Sequence, residues 1–161
     1  MRYASIKLHD VINGPGVRVS IFVTGCNHNC KGCFNKVAQD PNYGKEWTEE
    51  VEQEILDYIH KYKSFIRGIS LLGGEPTYET NADTLALFCK KFKKEFPDKD
   101  IWVWSGNTFE EIKANPQKYN LIKECDTLID GRFVEELKDI TLQWRGSSNQ
   151  RVIDIKKEIL S

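Results

Sequence analysis

The 161-residue sequence predicts an α/β fold, an open, partial (β/α) barrel with a mostly parallel sheet, on three observations. Short β-branched and apolar runs alternate with segments of helical periodicity, the pattern of parallel strands joined by right-handed crossovers. Four or five such units fit the length, whereas a closed eight-unit barrel needs ~250 residues. Glycines also follow the strands directly, at Gly25, Gly73-Gly74, Gly106 and Gly131. Those turns gather at the carboxyl rim, where parallel α/β folds bind ligands.

The elements follow in order. Val17 to Val23 is a β-branched, apolar run that reads as a buried strand ending before Gly25. Thr48 caps a helix whose apolar positions Val51, Ile55, Tyr58, Ile59 and Tyr62 keep helical spacing. Ile69 to Leu72 is a second strand, broken by Gly73-Gly74. Leu85, Phe88, Cys89, Phe92 and Phe96 mark the next helix, stopped by Pro97. Ile101 to Trp104 is a third strand, ended by Ser105-Gly106, and Thr108 with Glu111 forms a capping box for a short helix. Thr127 to Ile129 is a fourth strand, and Val152 to Ile155 a last one. With no repeat, low-complexity tract or Pro/Ser-rich linker, residues 1–161 read as a single domain.

Composition narrows the function. At 40% hydrophobic and 29% charged residues the chain reads as soluble and globular. Lys plus Arg number 23 against 24 for Asp plus Glu, which gives no electrostatic case for nucleic acid or an anionic membrane. The basic run Lys90-Lys91-Phe92-Lys93-Lys94 falls within the second helix and reads as its solvated face. No stretch reaches the ~18 apolar residues of a membrane span. The first residues lack the apolar core of a signal peptide, so a cytoplasmic location with reduced thiols is expected. The five cysteines are an odd number with three packed together, which favours metal or redox chemistry over disulfides.

Cys26-Asn-His-Asn-Cys30-Lys-Gly-Cys33 is the strongest signal. Three thiolates on one short loop can hold three irons of a 4Fe–4S cubane and leave the fourth iron open, as a catalytic metal requires. Two other readings stand beside it. A structural zinc ion would use the three cysteines and His28, although such sites usually draw ligands from two separated pairs. A redox pair at Cys30 and Cys33 would explain neither Cys26 nor a second motif further on. His28 is otherwise a polar loop residue outside the ligand set. Cys89 lies on the apolar stripe of its helix and is expected to be buried and inert. Cys125 has no expected partner. Arg18 is either an anion anchor or half of a structural ion pair at the base of its strand.

The second motif is Gly73-Gly74-Glu75-Pro76. It is either a plain turn before a helix or a ligand site, where glycines admit a ligand close to the backbone and a carboxylate attracts an amino group. The C-x3-C-x2-C loop and this turn together resemble the radical S-adenosylmethionine superfamily. Asn13-Gly14-Pro15-Gly16-Val17-Arg18, then Phe22, Gly25-Cys26 and Cys33-Phe34-Asn35, are similar to the opening segment of glycyl-radical-enzyme activases. Ile101 to Gly106, Asp130-Gly131-Arg132-Phe133 and Trp144 to Gln150 resemble those activases that serve an anaerobic ribonucleotide reductase. The matches run from Asn13 to Gln150.

That resemblance implies a 4Fe–4S cluster on Cys26, Cys30 and Cys33, with S-adenosylmethionine chelating the open iron. It implies cofactor contacts at Gly73, Gly74 and Glu75 for the amino group, and at Gly32, Cys33 and Phe34 near the adenine. The residue before the last cysteine is commonly aromatic in the superfamily and is Gly32 here, so Phe34 takes over part of that contact. Ser105 is a further contact or simply a turn residue. The implied reaction is reductive cleavage of S-adenosylmethionine to a 5′-deoxyadenosyl radical, which takes hydrogen from a partner's glycine. No catalytic side chain beyond cluster and cofactor is implied. The implied partners are the large glycyl radical subunit of the reductase and an electron donor such as a flavodoxin-like protein. Two alternatives stay open: a radical enzyme acting on another glycyl radical protein or a small molecule, and a non-catalytic iron–sulfur electron carrier. The loop from Trp144 to Gln150 either lines the cofactor or partner groove or is a polar turn.

Overall fold

A computed structural model describes residues 1–33 and 35–160. In chain order the elements are β1 (Arg2–Asp10), β2 (Val17–Val23), β3 (Lys45–Glu46), α1 (Glu49–Lys61), β4 (Ile66–Gly73), α2 (Ala82–Glu95), β5 (Asp100–Trp104), α3 (Phe109–Lys113), α4 (Pro116–Ile122), β6 (Thr127–Asp130), β7 (Arg151–Asp154) and α5 (Ile155–Leu160). The strands form one seven-stranded sheet in the order β3-β1-β2-β4-β5-β6-β7. The four central strands β2, β4, β5 and β6 run parallel, in register such as Ser20 opposite Ser70 and Val103 opposite Leu128. β1, β3 and β7 pair antiparallel at the margins.

The expected α/β fold with a parallel centre is therefore present, and the antiparallel margins are new. β1 escapes sequence reading because most of its residues stay at least partly exposed, so no face imposes a period on RYASIKLHD. The last strand is shifted by one residue from its expected span and ends where α5 begins. α4 starts at Asn115-Pro116, with the Asn115 side chain accepting from the Lys118 backbone N–H and Pro at the first helical position.

Alternation along the central strands sorts the two faces. Val19, Ile21, Val23, Ile69, Leu71, Ile101, Val103 and Leu128 pack in one core with Ile55, Leu56 and Ile59 of α1, Leu85, Phe88 and Phe92 of α2, and Leu121 of α4. The Thr48 hydroxyl accepts from the Val51 N–H at 3.2 Å to start α1, and the predicted Thr108–Glu111 capping box starts α3. The basic run of α2 meets carboxylates on neighbouring elements: Lys91 pairs with Glu52 at 2.9 Å and Lys93 with Asp126 at 3.1 Å. Among the described residues, no helix is long and apolar enough to cross a membrane.

The opposite face carries Arg18, fully buried near the amino end of β2. Its Nε donates to Ser70 Oγ at 2.8 Å, its Nη2 to the Ile69 carbonyl at 2.8 Å and its Nη1 to the Pro15 carbonyl at 3.1 Å. Asp100 supplies the counter-charge at 2.7 Å, and the guanidinium lies over the Trp102 ring. Of the two readings of Arg18, the structure gives the ion pair.

Candidate cofactor site

The carboxyl ends of the four parallel strands converge on a cavity of about 290 Å³. Cys26, Cys30 and Cys33 share its wall with Gly73-Gly74-Glu75 and Ser105-Gly106. The rim inferred from glycine placement thus brings the two motifs together.

The cysteine loop is pinched at its base. Gly25 N–H donates to the Ala38 carbonyl at 2.7 Å and Cys26 N–H to the Gln39 carbonyl at 3.1 Å, and inside the loop Cys33 N–H reaches the Cys30 carbonyl at 3.2 Å. The three loop cysteines are partly exposed, whereas Cys89 and Cys125 are fully buried in the core. Cys125 has a partner after all: its Sγ donates to the Leu121 carbonyl at 3.5 Å and it lies against the Cys89 thiol. Burial pushes the Cys26 thiol up to about 11, only partly offset by a hydrogen bond from the His28 backbone N–H.

Gly73 and Gly74 serve close backbone approach, but on the protein side. Gly73 has φ +113°, and a Cβ there would fall 2.7 Å from the Val23 backbone nitrogen and oxygen. One on Gly74 would fall 2.7 Å from the Ala38 carbonyl oxygen. The turn is sewn to the cysteine loop by Gly74 N–H to the Val23 carbonyl at 2.8 Å and Glu75 N–H to the Gly25 carbonyl at 2.7 Å. Asn81, placed to cap α2, instead donates to both the Thr24 and Glu75 carbonyls, at 2.8 and 3.0 Å.

The Glu75 carboxylate is buried, and four donors converge on it. His28 Nε2 at 2.6 Å and the Gly106 N–H at 2.7 Å meet Oε1, while the Thr77 N–H at 3.0 Å and hydroxyl at 2.9 Å meet Oε2. Burial alone would raise its pKa. Hydrogen bonds from His28 and from the Thr77 and Gly106 N–H groups hold it below the usual carboxylate value. The network continues as Asn107 donates to Thr77 Oγ1 at 2.8 Å. Ser105 lines the cavity while its hydroxyl accepts from the Asn107 N–H at 3.0 Å, so the expected turn chemistry is present.

Gly32 is exposed, lies against the Glu135 side chain and is not part of the cavity wall. Phe34 lies outside the described residues. Trp144 and Gln150 line the cavity, and the same loop is a polar turn in which Gln150 Oε1 accepts from the Gly146 and Ser147 N–H groups, so both readings describe it. Trp144 takes φ +69°, rare for a bulky residue, with its carbonyl held by Trp104 Nε1 at 2.7 Å and its ring edge-on to Trp102 at 5.5 Å. Sequence reasoning missed Leu72, Trp104 and Ile129 as cavity residues; strand alternation past the buried Leu71 and Val103 points to the first two.

The donor set fits an iron–sulfur cluster: three thiols line one cavity and no other ligand type is needed. Among the described residues, no three His, Cys, Asp or Glu side chains stand close enough to share one metal ion. His28 directs Nε2 at Glu75 at 2.6 Å.

Comparison with known proteins agrees with the geometry. The family model for a 4Fe-4S single cluster domain matches residues 12–153. The chain is 42% identical over 153 residues to the anaerobic ribonucleoside-triphosphate reductase-activating protein of Salmonella typhi, covering 94% of this chain and 97% of that one. It is 40% identical to the protein of that name from Vibrio cholerae, over 93% of this chain and 96% of that one. Identity is also 40% to the one from Enterobacteria phage T4, over 94% of this chain and 93% of that one.

Proposed function

Since the chain belongs to the family of anaerobic ribonucleoside-triphosphate reductase-activating proteins, we propose that it activates an anaerobic ribonucleotide reductase by converting a glycine of the large subunit into a glycyl radical. One observation carries the reading: three thiols, the Gly73-Gly74-Glu75 turn and Ser105 reach the wall of one cavity from three different strand ends. Cys26, Cys30 and Cys33 hold three irons of a 4Fe–4S cluster, and S-adenosylmethionine binds beside it. Held there, the pair would supply one-electron reductive cleavage of the sulfonium's bond to the 5′ carbon, with methionine as the leaving group, and so the hydrogen-abstracting power that the partner glycine requires.

The chain's own residues bind, orient and shield. The backbone of Gly73, Gly74 and Glu75 would receive the cofactor's amino group, with Ser105 and Cys33 as further contacts, while Gly32, exposed outside the cavity wall, is given none. Leu72, Trp104, Ile129 and Trp144 supply an apolar lining that keeps water from a radical. Hydrogen-atom transfer asks for no general acid or base, so no further catalytic side chain is assigned.

We read the sheet as the open, partial (β/α) barrel of radical S-adenosylmethionine enzymes, with residues 1–161 as one domain. An open edge lets a protein loop bring its glycine to near-attack distance, roughly 3–3.5 Å. A flavodoxin-like protein suits the role of electron donor, and the cytoplasm is the compartment that keeps the thiols reduced. The balanced charge, 23 basic against 24 acidic residues, supports a protein partner over nucleic acid or membrane.

Anaerobic reconstitution with iron and sulfide, reduction, and chromatographic assay of 5′-deoxyadenosine test this reading. The wild-type chain should form the product and Cys30→Ala should form none. Full cleavage by Cys30→Ala would remove the cluster from these cysteines.

A further inference from the structure

His28 sits between Cys26 and Cys30, yet its side chain is only 7% exposed and that of its partner Glu75 only 1%. We propose that His28 is a positioning residue: through Glu75 it clamps the cysteine loop onto the Gly73–Glu75 turn, so that the thiols and the cofactor-binding turn keep one fixed relation. The inference rests on the cluster assignment above and assigns Glu75 a task other than meeting the cofactor's amino group with its carboxylate.

Three observations carry it. The first is saturation. An ionised carboxylate offers about four acceptor sites, and Glu75 receives four donors, two on each oxygen. His28 Nε2 must donate in that arrangement, which fixes the ring's tautomer and withholds this nitrogen from any metal. The second is the seat. A Cβ on Gly106 would fall 2.5 Å from His28 Cδ2 and 2.7 Å from Nε2, so the end of β5 is bare where the imidazole lies. The Gly106 N–H also donates to the same Glu75 oxygen as His28, so one residue both admits the ring and holds its acceptor.

The third is reach. The 2.6 Å bond spans 47 positions of sequence and joins the loop after β2 to the turn after β4, while Gly106 adds the turn after β5. The loop is otherwise anchored by backbone bonds at its base, Gly25 to Ala38, Cys26 to Gln39 and Glu75 to the Gly25 carbonyl. His28 adds a side-chain tie between the first two cysteines. Groups that fix ligand-bearing segments from behind typically govern metal affinity by ten- to hundredfold.

The test compares wild type, His28→Ala, His28→Gln and Gly106→Ala as full chains. In the metal-free proteins, alkylation rates of Cys26, Cys30 and Cys33 are mapped by mass spectrometry. After anaerobic loading, iron loss to a chelator is timed. His28→Ala should speed alkylation of the loop thiols about tenfold and iron loss roughly ten- to hundredfold. Gly106→Ala should do the same by evicting the ring. His28→Gln, whose amide still donates to Glu75, should recover most of both. Thiol rates and iron loss unchanged in His28→Ala and Gly106→Ala would overturn the clamp, as would a His28→Gln variant as impaired as His28→Ala. Should His28→Ala fail to fold, folded Gly106→Ala and His28→Gln decide by the same rates. A wild-type chain that takes up no iron would instead overturn the cluster assignment, and the alkylation rates would still judge the clamp.

Discussion

That Cys26, Cys30 and Cys33 share one cavity wall was legible because three cysteines within eight residues ride on a single loop after a strand. His28 was not legible, since its role depends on Glu75, 47 positions away, and on the absent side chain of Gly106. Arg18 lies between these cases. Its burial follows from its place in an apolar run, but its partner Asp100 opens another strand, β5. Replacing Arg18 with Met should lower stability by about 3 kcal/mol in urea denaturation. That is the low end for breaking a buried pair, because Asp100 keeps 28% exposure and can rehydrate. An unchanged unfolding midpoint would mean that the Ser70, Ile69 and Pro15 contacts contribute nothing net.

The central strands and the two long helices were read from their apolar runs and stripes, whereas β1 was missed for want of a buried face and α4 was missed although Leu121 and Ile122 are buried. β2 and β4 to β6 are steeped in the core and announce themselves as apolar runs, whereas β1 covers only a margin and shows no alternation. Helix starts were legible at Thr48 and Thr108, whose side chains cap α1 and α3, but not at Asn115, which caps the short α4. Thr108→Ala should cost about 1 kcal/mol, read by thermal or urea unfolding, because α3 is short and its box satisfies two end groups. Glu111 in that box also meets Arg132 at 2.8 Å, and this hydrogen bond holds its carboxyl down to about 2. A depressed carboxyl stabilises the fold fully above its ordinary value of 4.5 and loses that contribution as pH falls towards 2. Wild type should therefore lose its stability advantage over Glu111→Gln across that window, and high salt should shrink the advantage because the pair is exposed. In the core, Phe88→Ala should cost about 3–5 kcal/mol, since the ring is fully buried edge-on to Trp47 at 5.4 Å.

At the scale of the whole molecule, the sheet separates stability from chemistry. One face is covered by helices and carries the main core, and the carboxyl rim of the parallel strands holds the cavity. Glycine after each central strand made that rim legible in the sequence. The Trp144 wall was not, because it depends on a left-handed backbone and on a hydrogen bond from Trp104, which no local pattern announces. The division of labour leads to one decisive experiment on the central claim, that a radical made in this cavity removes hydrogen from a glycine of a partner reductase. The cluster-loaded chain is reduced anaerobically with S-adenosylmethionine and a reductase large subunit deuterated at the α-carbons of its glycines, and the 5′-deoxyadenosine is examined by mass spectrometry. Singly deuterated 5′-deoxyadenosine, formed together with a glycyl radical signal on the reductase, is the predicted result. Abundant 5′-deoxyadenosine without deuterium, and no radical on the reductase, would contradict the account and point to a different hydrogen donor.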